Sequence, residues 1–519
     1  MLFNSYGFVL VFLPAAVLLF FVIGSRSRQW ALSWLVLASL LFYAWWRPAN
    51  LLIIAPSIVV NFVAARTLLR LGATGRASTA RIVLALGVAF NVLFLGYFKY
   101  ANFAVGAVND LAGTSFVLEQ IILPLGISFI TFQKIAFLVD VQSRRVDAFT
   151  LREYLLFVLF FPQLIAGPIV HYRELMPQFR AVSCRFDKTN VSVGLTLFVL
   201  GLAKKVLIAD QMAPFVSTIF GQAAAGGDVS LVPAWAAAVG FTLQIYFDFS
   251  GYTDMALGVA RFFGVRLPPN FDSPLKASSI IDFWARWHMS LTRFLTAYIY
   301  NPMALAAARR HMATGTIQPG GSLATPGGFL QMLVLPTVVT MLISGIWHGA
   351  GYGFILWGLL HGVYLSINHG WRRFAGPRLR QNPAYEGTMT LAGHALTFGC
   401  VVISMVLFRS PTLPAAAALF RGMAGLGGVD AADNGVDLAL FGLWVLGAAL
   451  VAFICPNTLQ LLERFEPALD WKPANRSARP WVPGVAWRPN MPWAAAISAV
   501  AALAALYLGG QTEFLYWQF

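Results

Sequence analysis

Charged side chains are scarce in this chain. Asp, Glu, Lys and Arg make up 11% of its 519 residues, where a soluble domain carries roughly 25%. So little charge excludes an ordinary soluble globular protein. Acidic residues are the rarer sign, 21 against 36 Lys and Arg, which leaves a formal charge of +15. The basic residues are scattered between apolar runs, which argues against a nucleic-acid partner and fits the Lys/Arg excess of cytoplasmic loops. Cysteine is nearly absent. Cys184, Cys400 and Cys455 lie far apart, with neither metal-ligand nor disulfide spacing. No GxGxxG, Walker A, GxSxG or HExxH motif occurs, so the common dinucleotide, P-loop, serine-hydrolase and zincin signatures are missing. There is no visible inverted repeat and no long soluble domain.

Apolar residues are abundant, at 58% of the chain. Runs near 8–23, 30–46, 50–66, 82–100 and 121–141 are each long enough to span a bilayer, some only just. The first reads as a retained span, since residues 1–23 have neither a positive n-region nor a small-residue cleavage site before Arg26 and Arg28. Arg/Lys clusters follow the first, third and fifth runs, while the loop after the fourth carries Asp110 and Glu119, so the N-terminus is expected outside. Residues 154–170 break the pattern. Pro162, Gly167 and Pro168 interrupt the run, and the loop after it is basic, so this segment is expected to be re-entrant, returning to the cytoplasm. Further runs lie near 189–209, 232–260, 329–346, 352–370, 391–408, 438–455 and 492–508. Lys204 and Lys205 end the first of these at an outer position, which snorkelling would explain. Residues 280–303 read as an amphipathic helix and 306–328 as a flexible cytoplasmic linker. The expected fold is an all-α, polytopic transmembrane helical bundle of about twelve crossings, with both termini outside. It reads as a single membrane-embedded domain over 1–519 with a catalytic core near 232–370.

Polar residues gather in that core. Gln244, Tyr246, Asp248, Ser250, Tyr252 and Asp254 alternate with apolar residues, a spacing that makes no single helical face and predicts a distorted helix lining a polar cavity. Asp248 and Asp254 could equally pair with Arg261 or another base, as buried charges usually do. Two of the seven histidines, His288 and His348, each follow a tryptophan inside apolar sequence. Ionisable groups at membrane depth are candidates for function, although hydrogen-bonded structural histidines would look the same in sequence. An imidazole kept from water favours its neutral form and can accept a proton near pH 7, which suits a general base. No carboxylate or thiol company near either histidine suggests a metal. Glycines 345, 349, 351 and 353 around His348 would leave room for a substrate chain to reach the ring, and Trp347 and Trp357 would wall off water. Arg286 and Arg293, seven apart, could contact a donor phosphate or snorkel to the interface. His361 and His369 read as structural.

Several stretches resemble the membrane-bound O-acyltransferase (MBOAT) superfamily, and within it the bacterial alginate O-acetyltransferase type. They are Asp248-Phe249-Ser250-Gly251-Tyr252-Thr253-Asp254-Met255, Asp282-Phe283-Trp284-Ala285-Arg286-Trp287-His288 and Gly345-Ile346-Trp347-His348-Gly349. Phe161-Pro162-Gln163 through Ala166-Gly167-Pro168-Ile169 and the ending Phe514-Leu515-Tyr516-Trp517-Gln518-Phe519 match as well. Ala297 departs from the pattern, standing where the family commonly has Asp. The resemblance implies acyl transfer from a cytoplasmic thioester to a hydroxyl outside, with His348 essential and His288 the second polar residue of the core. It implies a bacterial inner-membrane enzyme with no bound cofactor, acetyl-CoA as donor, a polysaccharide acceptor such as alginate or cellulose, and a periplasmic acetyltransferase partner. Gln244, Asp248, Ser250, Tyr252, Arg286 and Trp347 are then expected to bind substrate. Two alternatives stand beside it. One is a D-alanyl-transferring relative that uses a carrier-protein thioester. The other is a small-molecule transporter with 244–254 as its path, although transporters typically pair broken helices in two halves.

Overall fold

The computed structural model describes residues 1–313, 325–379, 381–429, 435–472, 485–509 and 515. Among the described residues there are helices and no strands. The first four helices are α1 (Leu13–Gly24), α2 (Arg28–Ala44), α3 (Ala49–Ala73) and α4 (Ala77–Ala112). Next come α5 (Ile127–Gln142) and the short α6 (Leu151–Leu159), α7 (Phe161–Leu164) and α8 (Tyr172–Ala181). The central pair follows. One arm is α9 (Lys188–Ala203), continued through a π-helical stretch at Lys204–Ala209 into α10 (Asp210–Ala224); the other is α11 (Leu231–Phe262). An irregular stretch leads to α12 (Ile280–Trp284), α13 (Met289–Leu295) and α14 (Asn301–Ala313). After α15 (Pro326–Phe329) comes the hairpin of α16 (Leu335–His348) and α17 (Tyr352–Gly370). The rest are α18 (Gly376–Leu379), α19 (Pro383–Arg409), α20 (Leu413–Met423), α21 (Leu438–Ile454), α22 (Thr458–Leu461) and α23 (Met491–Leu506).

Among the described residues six helical stretches are long and apolar enough to cross a membrane: Gly7–Gly24, Ala49–Ala73, Ala77–Ala112, Lys188–Ala224, Pro326–His348 and Gly387–Arg409. α21 and α23 are apolar but shorter. The run expected at 121–141 departs from a simple span. Its first residues are irregular, and α5 has only 16 residues, 12 of them buried in protein. At 1.5 Å per residue such a helix covers about 24 Å, less than the roughly 30 Å apolar core of a bilayer. Gly126, with φ +69°, opens α5, and a Cβ there would lie 2.7 Å from the Leu164 carbonyl.

The expected break at 154–170 is present. α6 stops at Phe160 (φ −50°, ψ 109°), α7 is a single turn, and irregular backbone leads to His171. Broken backbone exposes amides that need partners. Ser39 Oγ accepts from the Phe161 amide at 3.1 Å, and Ser290 Oγ accepts from the Ile169 amide at 2.9 Å. Residues 156–171 are buried throughout. The start of α6 carries a capping box between Thr150 and Glu153. Burial raises the Glu153 carboxyl, but hydrogen bonds from Arg180 and the Thr150 amide outweigh it and hold the group below its usual range.

Other expectations are corrected. Residues 280–303 are not one amphipathic helix, because a turn at Ala285–His288 separates α12 from α13 and a π-helical stretch follows at Thr296–Tyr300. The start of the 306–328 linker is helical, since α14 runs through its alanines to Ala313; 314–324 lie outside the described residues. The C-terminal motif, apart from Leu515, also lies outside them.

The largest correction concerns α11, which is a regular 32-residue α-helix and not a distorted one. Every residue from Gly240 to Phe262 is buried, so the alternating polar residues are covered on all sides. Small residues allow this. A Cβ at Gly201 would lie 2.5 Å from the Gly251 carbonyl, and one at Gly258 would lie 2.5 Å from the Gly194 carbonyl. Two glycine pairs, seven residues apart on each helix, thus bring the α9 and α11 backbones together, as small residues do in membranes. Close approach delivers Lys204 and Lys205 to the α11 carboxylates. Lys205 lies 2.6 Å from Asp248 and 2.7 Å from Asp210, and Lys204 lies 2.6 Å from Asp254. The lysines therefore do not snorkel, and the aspartates do pair with a base as expected: these lysines, while Arg261 donates to the Phe465 and Glu466 carbonyls.

Candidate active site

Two elements far apart in sequence carry the histidines. His348 is the last residue of α16, where Gly349 leaves the helix in extended conformation. α16 packs on α17 through glycines: a Cβ at Gly358 would lie 2.5 Å from the Met341 carbonyl, and one at Gly345 would overlap the Phe354 carbonyl. Gly349 abuts the Phe354 ring and Gly353 the Leu407 carbonyl. At 345, 349 and 353 the lack of a side chain serves close packing and does not open space for substrate, contrary to expectation.

His288 sits in the turn before α13 with φ +44° and ψ 50°. That left-handed conformation is uncommon outside glycine and, at a site, is held only by surroundings that over-determine it. Asn270 supplies them. Its carbonyl accepts from the Met289 amide at 2.9 Å, and its Oδ1 accepts from the Ser290 hydroxyl at 2.5 Å. Beside it, Asp272 N donates to the Arg286 carbonyl at 3.0 Å. Arg286, 1% exposed, donates through Nε to Asp282 at 2.8 Å and through Nη1 to the Asp272 carbonyl. Arg286 thus holds the turn together. Arg293 likewise pairs with Glu174 at 3.0 Å. Both arginines are thus engaged by carboxylates, Arg286 in a buried position and Arg293 in a partly exposed one.

The folded chain brings His288 and His348 together, with ring centroids 6.3 Å apart and both side chains buried. Phe249 of α11 meets His288 edge-on at 4.8 Å. Trp347 lies 6.2 Å from His288 and 4.9 Å from His348. Trp357 and Phe408 close the other side of His348 at 5.2 and 5.4 Å. Both rings are thus enclosed largely by aromatic side chains. Asp248 is committed to Lys205, and Tyr252 stacks on Phe3 at 4.8 Å. Gln244 Oε1 and Ser250 Oγ are buried without a protein hydrogen-bond partner among the described residues.

His361 continues the aromatic chain behind Trp357, at 4.8 Å. Trp284 Nε1–H donates to its Nδ1 at 3.2 Å, and its Nε2 lies 3.0 Å from Ser404 Oγ, which agrees with a structural role. His369 instead lines a cavity of about 350 Å³ with Trp284, Tyr300, Thr337, Thr340 and Met341. Thr337, Thr340, Ser344 and His348 follow one another at three- and four-residue steps along α16, so they share a face. Sequence reasoning did not assign roles to Asn270, Lys99 or Tyr100. Lys99 had one visible signal, a charge inside an apolar run.

The fold is a multi-pass helical membrane bundle that brings two buried imidazoles together among aromatic rings. The chain belongs to the membrane-bound O-acyltransferase (MBOAT) family, whose model matches residues 141–318, and it is an O-acyltransferase. It is 37% identical to a peptidoglycan O-acetyltransferase of Helicobacter pylori over 83% of this chain and 81% of that protein. It is 38% identical to a probable alginate O-acetylase AlgI of Pseudomonas aeruginosa over 82% of this chain and 75% of that one. A teichoic acid D-alanyltransferase of Streptococcus thermophilus is more distant, at 26% identity over 55% of this chain and 68% of that protein.

His288→Asn is expected to reduce acyl transfer by about tenfold without lowering the amount of folded protein. Asn tolerates the left-handed backbone and keeps a hydrogen-bonding group but has no basicity. Turnover per folded protein, measured beside thermal unfolding in detergent, checks this. A fully inactive His288→Asn beside an active His348→Asn would reverse the order of the two histidines.

Proposed function

We propose that the enzyme passes an acetyl group from a cytoplasmic thioester, acetyl-CoA, to a hydroxyl on the periplasmic side of a bacterial inner membrane. The product is an O-acetylated exopolysaccharide such as alginate or cellulose, completed with a periplasmic acetyltransferase. The observation that carries the reading is the pair of buried imidazoles 6.3 Å apart inside an aromatic cage. His348 takes the hydroxyl proton as the oxygen attacks the thioester carbonyl, and returns a proton to the departing thiolate as the C–S bond breaks. A positioned base of this kind contributes about 10²- to 10⁴-fold. His288, fixed in its turn, orients a substrate group. The cavity beside α16 supports an approach for the thioester arm. From it, Thr340 and Ser344 lead toward His348, both with buried hydroxyls that have no protein partner among the described residues. The names of the relatives acting on alginate and peptidoglycan support a glycan acceptor. The greater distance of the D-alanyl-transferring proteins favours acetyl over D-alanyl. A transport path along 244–254 loses support, because its carboxylates are bound to lysines and the helix is covered all round.

Membrane sidedness tests the proposal. Inside-out vesicles should consume acetyl-CoA without permeabilisation, and sealed right-side-out cells should not. Consumption by the sealed cells alone would overturn the cytoplasmic donor.

A further inference from the structure

We propose that Lys99 of α4 is a positioning residue for His348, locking the last turn of α16 from outside the catalytic core; the inference rests on the catalytic reading of His348. α16 ends at His348, so its final carbonyls have no amide of the next turn to accept from. Lys99 Nζ donates to the Trp347 carbonyl at 2.5 Å and to the His348 carbonyl at 3.0 Å. The adjacent Tyr100 hydroxyl donates to the Ile346 carbonyl at 2.5 Å. Three consecutive carbonyls, ending at the candidate base, are thus held by two neighbouring side chains from a helix nearly 250 residues earlier (|i−j| 246 to 249).

The chemistry suits the place. A helix C-terminus carries partial negative charge, and a cation there is favourable. Among the described residues no carboxylate pairs with Lys99, so the helix end is the negative charge it faces. Its ammonium also lies 6.0 Å from the centroid of the Trp347 ring, the wall shared by both histidines. A lysine within the long apolar stretch of α4 is costly unless something compensates its burial. α4 packs mainly on α3 and α5, so these side chains tie a peripheral layer to the reacting centre. Nothing places Lys99 on the reacting atoms. It acts by fixing the backbone from which the His348 ring projects, and displacement of a catalytic group by about 1 Å costs roughly 10²-fold.

The test measures kcat, KM for acetyl-CoA and thermal unfolding for Lys99→Met, Lys99→Arg and Tyr100→Phe, with His348→Ala in parallel. Lys99→Met should lower kcat by about 10- to 100-fold with KM within about twofold of the parent. Lys99→Arg, which keeps a cation and donors, should recover kcat to within about fivefold. Tyr100→Phe, which loses only the Ile346 contact, should lower kcat a few-fold and serves if Lys99→Met does not fold. Parental kcat per folded protein in Lys99→Met and Tyr100→Phe, or equal impairment of the Arg and Met variants, overturns the inference. If His348→Ala itself turns over like the parent, the catalytic reading falls first. If it is inactive while Lys99→Met is normal, only the positioning role falls.

Discussion

His348→Ala is expected to insert, purify and unfold at the parental temperature, yet to transfer acyl groups at least about 100-fold more slowly. The ring is surrounded by Trp347, Trp357 and Phe408, and its helix end is held through backbone carbonyls, so the scaffold does not hang on the imidazole alone. A histidine kept only for structure would behave differently. Losing a buried hydrogen bond would lower stability by about 1–3 kcal/mol and reduce the folded amount. Turnover per folded enzyme in detergent or nanodiscs separates the two. Near-parental acetylation by His348→Ala, or a loss explained wholly by scarce folded protein, would remove the catalytic assignment.

Lys205→Met is expected to fail in the opposite way, through folding. Its side chain is 3% exposed, and its ammonium bridges Asp248 of α11 and Asp210 of α10 at 2.6 and 2.7 Å. Removing it takes a cation away from two buried carboxylates. Breaking such a pair from one side costs about 3–5 kcal/mol, because the remaining charge stays desolvated. The expected result is little monodisperse protein on size exclusion and a much lower unfolding temperature. Lys205→Met combined with Asp248→Leu should recover part of the loss, since one stranded charge is gone. Parental stability in Lys205→Met alone would show that the network is not needed to join α9, α10 and α11.

Much of this architecture could be read from local sequence. The apolar runs became helices, and the prolines and glycine at 162–168 broke the chain as their backbone chemistry requires. The two Trp-His pairs were also visible, since histidine inside apolar sequence stands out against so little charge. What failed was the assignment of partners. Lys204 and Lys205 look like an interfacial pair in one dimension. Only the glycine contacts at 194, 201, 251 and 258 show that α9 comes close enough to α11 to bury them against aspartates. The glycines beside His348 look like open space, yet helix α17 and its Phe354 fill most of it.

By itself the sequence determined that the protein is a helical membrane protein, where most helices lie and which two Trp-His pairs stand inside apolar sequence. Those properties follow from composition and from side chains acting on their own backbone. The tertiary structure alone decided that His288 and His348 face each other, that Asn270 holds the left-handed turn, and that Lys99 and Tyr100 reach the end of α16. Each of these joins segments well separated in the chain. Hydrogen bonds and close contacts depend on distances of a few ångströms, which are set by how helices pack and leave no periodic trace in any one of them.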